Sequence, residues 1–328
     1  MRKIGTRGHR MAVMMLAALL AAGCNSSGSS DGNDRVPVDV SVSDAAVGDL
    51  RSVVVTLERV TVSRPGEDVV VETFPNADPD EPDTETITFD LLDYQGMDRL
   101  LIIEGLLLAP GHYQNLRLDV VEAESFVVEA DGDVKPLKSP STELKLGGFE
   151  VAPGGPQAFV IEFPLMHAMT YNPGPDRYIL KPRGVRIVDV ARGATLAGIV
   201  DPALFVAGEG CDQKPEATEG NVVYVYSGHG LDIDALGDLF DPALDEESAA
   251  FLTPPYTAEA VSEDGDYLIA FLPPGPYTVA FACDAADDDP DFDDGILVPN
   301  PGDEWIELTL VEGEDRSCHF PVDGGDCL

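Results

Sequence analysis

The sequence predicts an all-β protein of two β-sandwich domains. From Val36 onward, segments such as "VPVDVSVSD", "SVVVTLERVTVSR" and "NLRLDVVEAESFVVE" alternate with period two, the pattern of strands with one face on a core and the other in water. Gly, Pro, Asp or Asn closes each segment, as turns require, and almost no stretch keeps apolar residues at helical spacing for three turns. The roughly 300 residues past the N-terminal segment, at about 100–200 per domain, give two domains.

Taken in order, the chain opens with "MRKIGTRGHR", four basic residues and no acid, followed by the apolar run "MAVMMLAALL". These are the n-region and h-region of an export signal. Met11 to Leu20 is too short for a hydrocarbon core of roughly 30 Å, which takes about 20 residues to cross. After Cys24, "NSSGSSDGND" has nothing to bury and reads as a flexible tether, residues 24–35. The junction "LLAAGC" resembles the lipobox of bacterial lipoproteins, with Ala21 standing where that motif prefers Leu. The resemblance implies removal of residues 1–23, acylation of Cys24 and, because Asn25 follows it, sorting to the outer membrane. The membrane partner is then reached through the lipid on Cys24, and the body faces the periplasm or the cell exterior. Several acyl chains anchor far more firmly than one. An ordinary secretory signal with an Ala-rich cleavage site is the alternative, and it too exports the chain.

The whole sequence holds 20 Lys and Arg against 60 Asp and Glu; removing the four basic residues of the signal leaves 16, and a charge of −44. Such a surface repels nucleic acid and anionic membranes, so no nucleic-acid partner is expected. A hydrophobic content of 44% excludes global disorder. Besides Cys24 there are four cysteines, which allow three pairings. In an oxidising compartment two disulfides are expected, Cys211 with Cys283 and Cys318 with Cys327. A zinc site of Cys318, His319 and Cys327 lacks a fourth ligand.

Two short helical interruptions are expected, a turn at Leu91 and Leu92 and a weakly amphipathic stretch in "DIDALGDLFDPALDEESAAFL", where Gly237 and Pro242 break the pattern. A domain boundary falls at "VDVARGATLAGIV", between 36–190 and 194–321, with 322–328 as a tail. The same device occurs on both sides of it, "LLAPGHYQNLRL" and "FLPPGPYTVAF". Pro then Gly suits a type II turn, and Tyr113 and Tyr277 then open strands as architectural residues that bond backward across the turn.

The blocks "VDVSVSDAAVGDLRSVVVTLERVTVSR", "TFDLLDY", "LLAPGHYQNLRLDV", "LKSPSTELKLGGFEV" and "YILKPRGVRIVDV" together resemble the bacterial lipoprotein domain family known as domain of unknown function 4382, over about 36–190. That resemblance implies an exported β-sandwich and brings no activity and no catalytic residues. The later segments "TLAGIVDP", "NVVYVYSG" and "DGDYLIAFLPPGPYTVAF" resemble transthyretin-like or carboxypeptidase regulatory-like sandwiches. The resemblance implies a stalk, spacer or adhesive module, from which this chain departs by an insertion at Leu231 to Leu252.

Chemistry centres on "CDAADDDPDFDDG". Asp289, Asp291 and Asp293 alternate like the first ligands of an EF-hand loop. Asp294 stands where that loop needs Gly, Asn300 stands where it needs Glu, and Pro290 opposes the entering helix, so the pattern is not an EF-hand. What remains is one calcium held by Asp287, Asp289, Asp291, Asp293 and Asp294, set against a solvated acidic loop without a ligand. Weaker candidates are the acidic loop 75–83 and the group His229, Asp232 and Asp234. Ser227 and His229 lie close in sequence but without the nucleophile-elbow pattern, and no phosphate loop occurs. Trp305 is read as a core residue. The expected function is a non-enzymatic, outer-membrane-anchored structural or interaction module of the envelope or cell surface, its partner an envelope protein or surface ligand. The alternatives are a calcium-dependent ligand-binding protein and a hydrolase with a site assembled across the domains.

Overall fold

The computed structural model describes residues 35–45, 50–76, 78, 80–322 and 325–327. Cys24, the signal and the tether before Arg35 lie outside them.

The period-two pattern becomes sheet from the first described strand. In Val36–Ala45 the side chains of Val36, Val38, Val40 and Val42 are buried. This strand pairs in parallel with Gln157–Pro164 and antiparallel with Leu100–Leu108, and Arg186–Asp189 completes a four-stranded sheet. The opposite sheet is organised by the 15-residue strand Leu50–Arg64, which pairs with Asn115–Val120, Phe126–Glu129, Glu67–Val71 and Ile87–Asp90. Between the sheets lies one core that includes Val53, Val55, Leu57, Leu116, Leu118, Phe159, Ile161 and Phe163.

A second sandwich follows. One sheet runs in the order Asp266–Leu272, Ala194–Ile199, Asp315–His319, Asp326–Cys327; the other in the order Thr257–Ala260, Val222–Ser227, Gly275–Ala282, Trp305–Leu310. Leu196, Val223, Val225, Ile269, Val279, Phe281 and Phe320 fill the space between them. Beyond Phe320, Asp326 and Cys327 extend this sheet beside His319 and Cys318.

Strand Val222–Ser227 departs from simple alternation. Val223 and Val225 face the sandwich core, while Val222, Tyr224 and Tyr226 lie in a separate buried cluster on the outer face with Leu236, Leu239, Ala285 and Val298. The insertion and the acidic loop therefore cover the outside of this sheet. A strand covered on both faces reads as a continuous apolar run, and "VVYVY" is one. Trp305 packs, partly buried, against the same outer cluster.

The two sandwiches form one compact unit. Arg186–Asp189 and Ala194–Ile199 are joined by a turn in which the Arg192 and Gly193 N–H groups donate to Asp189 O at 2.9 and 3.0 Å. Val160 and Val188 of the first sandwich pack with Ala270 and Phe271 of the second. Beside them the buried Glu162–Arg186 pair closes to 2.6 Å, and the Arg186 guanidinium lies 5.0 Å from the centre of the Tyr256 ring.

The expected helical interruptions are single turns, Leu91–Asp93, Ile233–Ala235 and Glu246–Ala249. Both turn tyrosines bond backward: Tyr113 Oη donates to Ala109 O at 3.1 Å and Tyr277 Oη to Pro273 O at 2.7 Å. Gly111 has a φ of 129°, but Gly275 does not take a positive φ, so the type II reading fails at the second turn. There the unusual backbone belongs to Phe271, with φ 53°, beside the irregularity in the pairing of Asp266–Leu272 with Ala194–Ile199.

Candidate functional site

Acidic residues gather where the loop after Cys283 meets the insertion and the end of the first sandwich. Gly275–Ala282 delivers the chain to Cys283, which is bonded to Cys211. The second disulfide joins Cys318 to Cys327, which removes those two thiols from any zinc site.

No three of the five candidate calcium ligands, all among the described residues, bring their carboxylate oxygens within 4.8 Å of one another. Asp287 and Asp289 are exposed. Asp289 Oδ1 accepts from Asp291 N–H at 3.0 Å, and its own N–H donates to Asp294 Oδ2 at 2.7 Å. Asp293 accepts from Gly295 N–H at 3.0 Å and from Ser248 Oγ at 2.9 Å. Asp291 is turned toward the first sandwich, where Lys181 Nζ donates to its two oxygens at 2.5 and 2.7 Å and Arg183 Nη1 donates at 2.7 Å. Partial burial pushes the Asp291 carboxyl up, but these two cations outweigh it and hold the group below the usual carboxylate range. Asp241 of the insertion is a second acid near Arg183, at 3.7 Å. The charge that the sequence offered to calcium at Asp291 is thus taken up by residues 108 and 110 positions earlier.

Two other aspartates, the buried Asp238 and the partly buried Asp288, lack such cations. Asp238, in the insertion, is fully buried; its Oδ2 accepts from Asp294 N–H and Ile296 N–H, each at 3.0 Å. Asp288 Oδ2 accepts from Tyr224 Oη at 2.6 Å, with Leu239 N–H at 3.4 Å. The Oδ1 atoms of both residues are shut off from solvent and accept no hydrogen bond. Burial pushes each carboxyl up to about 7, and the neighbouring acids add to it: Asp293 and Asp294 around Asp238, Asp238 and Asp294 around Asp288. The sequence signal was an Asp in an apolar stretch, "LGDLF", that pointed to no motif. Alongside lies an open cavity of about 550 Å³, lined by Gly208, Asp234, Leu252, Asp293, Ile296 and Asn300.

Among the described residues one group of three acids brings its carboxylate oxygens within 4.8 Å of one another, Glu129, Asp131 and Asp133, away from the predicted loop. Lys135 Nζ already stands 3.9 Å from Glu129 and 3.7 Å from Asp133. In the third predicted group, Asp232 and Asp234 are exposed and His229 is held elsewhere, and in the loop 75–83 Asn76 and Asp78 bond to backbone N–H groups.

His229 and His319 are engaged in structural hydrogen bonds. His229 Nε2 lies 2.7 Å from Leu308 O, so that nitrogen carries its proton and cannot take one from Ser227. His319 Nδ1 accepts from Ile199 N–H at 3.1 Å, which leaves the proton on Nε2, facing Ser317 Oγ at 3.2 Å. That pair, which sequence reading did not single out, is arranged with the histidine donating and is unsuited to activating the serine. His167 is buried, and burial with the charges of Arg183 and Arg186 pushes its imidazole down to about 4.

No helix among the described residues is long and apolar enough to cross a membrane. Residues 36–182 match the family described as Domain of unknown function (DUF4382). No curated protein matches the chain. Similar solved structures include the TIE protein of Bacillus anthracis, 11% identical, with a TM-score of 0.20, covering 86% of this chain. This chain spans 33% of that protein's length. Others are GBS52, the minor pilin of Streptococcus agalactiae, 8% identical over 88% of this chain and 96% of that one, with a TM-score of 0.18, and BcpA, the major pilin subunit of Bacillus cereus, 10% identical over 85% and 60%, with a TM-score of 0.20. At such scores the likeness does not extend to the arrangement of the whole chain.

Proposed function

We propose that the chain is a non-enzymatic structural or interaction module of the bacterial envelope, anchored in the outer membrane by lipid on Cys24 and facing the periplasm or the cell exterior. The observation that carries this reading is the joint between the sandwiches. A short hydrogen-bonded turn, an apolar contact, the Glu162–Arg186 pair and the Asp291 clasp join the two sandwiches in one compact unit. A joint of this kind suits a spacer or a presented binding surface. The placement of His229 and His319 in structural hydrogen bonds supports the non-enzymatic reading. The negative charge of the body keeps it off anionic lipid, so that the anchor alone sets its attachment.

The test is metabolic labelling with a fatty-acid analogue. Wild-type chain should take up label and sediment with outer membranes, and Cys24→Ser should do neither. Label retained in Cys24→Ser would defeat the anchor. Crosslinking in intact cells then identifies the envelope protein or surface ligand that the body touches.

A further inference from the structure

We propose that Asp238 and Asp288 bind one calcium-class divalent cation between the insertion and the acidic loop, with Asp294 at its rim. Two observations carry this. Asp238 is wholly buried with its Oδ1 unpartnered, and Asp288 Oδ1 is equally shut off and unpartnered. The segments that bear them meet directly, since Leu239 N–H reaches Asp288 Oδ2 at 3.4 Å and Asp294 N–H reaches Asp238 Oδ2 at 3.0 Å.

An unpaired carboxylate in such a place is costly, and proteins relieve the cost with a cation or a proton. Three residues along, Asp291 has Lys181 and Arg183 for this purpose. Around Asp238 and Asp288 the dominant neighbouring charges are other aspartates. A proton shared between the two would need an oxygen–oxygen hydrogen bond, and neither Oδ1 takes part in one. A cation would offset the charge of both carboxylates where the two segments meet. The donors are all oxygen, two carboxylates beside the Tyr224 hydroxyl, which is the preference of calcium and excludes softer metals. Bound there, the ion would fasten the insertion to the disulfide-tethered loop and stiffen the wall of the 550 Å³ cavity. The site is independent of the anchor, and failure of either leaves the other standing.

The experiment uses full-length chain stripped with chelator, with calcium alone as the probe. Equilibrium dialysis should find one ion bound with a dissociation constant on the order of 10⁻⁴–10⁻³ M, the range of extracellular calcium modules. Asp238→Asn and Asp288→Asn should each weaken binding at least tenfold, an effect of about 1.4 kcal/mol or more. Asp287→Asn and Glu129→Gln should leave binding unchanged. Terbium in place of calcium should emit when tyrosine is excited, and Tyr224→Phe should lower that emission while dialysis still finds the ion. No binding by wild type at millimolar calcium, binding that survives both aspartate variants, or emission undiminished in Tyr224→Phe would each overturn the proposal. The terbium readout uses a variant that keeps both carboxylates, so it stands even if the aspartate variants fold poorly.

Discussion

Removing the Asp291 carboxylate should loosen the clasp between the acidic loop and the first sandwich. Asp291→Ala deletes three charge-assisted hydrogen bonds, from Lys181 at 2.5 and 2.7 Å and from Arg183 at 2.7 Å. The Arg183 side chain is only 9% exposed and the Asp291 side chain 22%. Exposed pairs contribute about 0–1 kcal/mol, whereas breaking a fully buried pair costs about 3–5 kcal/mol. This pair lies between, and Asp241 at 3.7 Å still offsets part of the Arg183 charge, so a loss of about 2 kcal/mol is expected. In a chain of this size that corresponds to a fall in Tm of about 4 °C. A double-mutant cycle with Lys181→Met isolates the pairwise part, expected at about 1 kcal/mol. The sign of the pH dependence follows from the depressed folded-state pKa of Asp291. Its contribution is full above the unfolded carboxylate value of about 3.9 and is lost as pH falls through the lower folded value. Urea unfolding of the four proteins at pH 7 measures the cycle. A coupling under about 0.3 kcal/mol, within ordinary additivity, would refute the clasp.

Two further outcomes follow from the same joint and loop. His167 is neutral in the fold and its pKa, about 4, is below the ordinary 6.5, with Arg183 and Arg186 facing it and Asp241 partly opposing them. Stability should therefore be full above pH 6.5 and fall toward pH 4, by at most about 3 kcal/mol, while His167→Gln should flatten that limb of a Tm-versus-pH curve; an unchanged slope would reject the assignment. The Cys211–Cys283 bond closes a sequence separation of 72 against 9 for Cys318–Cys327. On loop entropy its removal by Cys211→Ala with Cys283→Ala should cost about 4 kcal/mol, and removal of the shorter one about 2–3 kcal/mol; calorimetry that finds the reverse order would contradict this.

The sandwiches were legible because their signals are local. "VPVDVSVSD" shows its own face pattern, and Tyr113 and Tyr277 bond only four residues back, across turns that Pro and Gly announce. Even Phe271 marks where local reading stops, since its positive φ is imposed by strand pairing and packing and not by any residue preference. The candidate site was legible only as acidity. Whether an aspartate is solvated, clasped or buried depends on what the fold brings to it. For Asp291 that is a Lys–Pro–Arg segment 108–110 residues away, and for Asp288 it is a tyrosine 64 residues away.

This separation by partner is also what divides the acidic loop into parts with different chemistry. Its exposed members, Asp287 and Asp289, cost little because water solvates them. Asp291 is neutralised by basic side chains and so acts as a structural strut. Asp288 alone is carried inward, against the outer face of a strand whose tyrosines at 224 and 226 replace the polar residues that an exposed face would show. Covering that face requires the insertion, and the insertion brings Asp238 to the same place. Two acids on separate segments, both desolvated and neither given a basic partner there, form an arrangement that exposed acidity does not produce. A bound cation would thus be held by Asp238 and Asp288, while Asp289, Asp293 and Asp294 make hydrogen bonds within the loop and to the insertion.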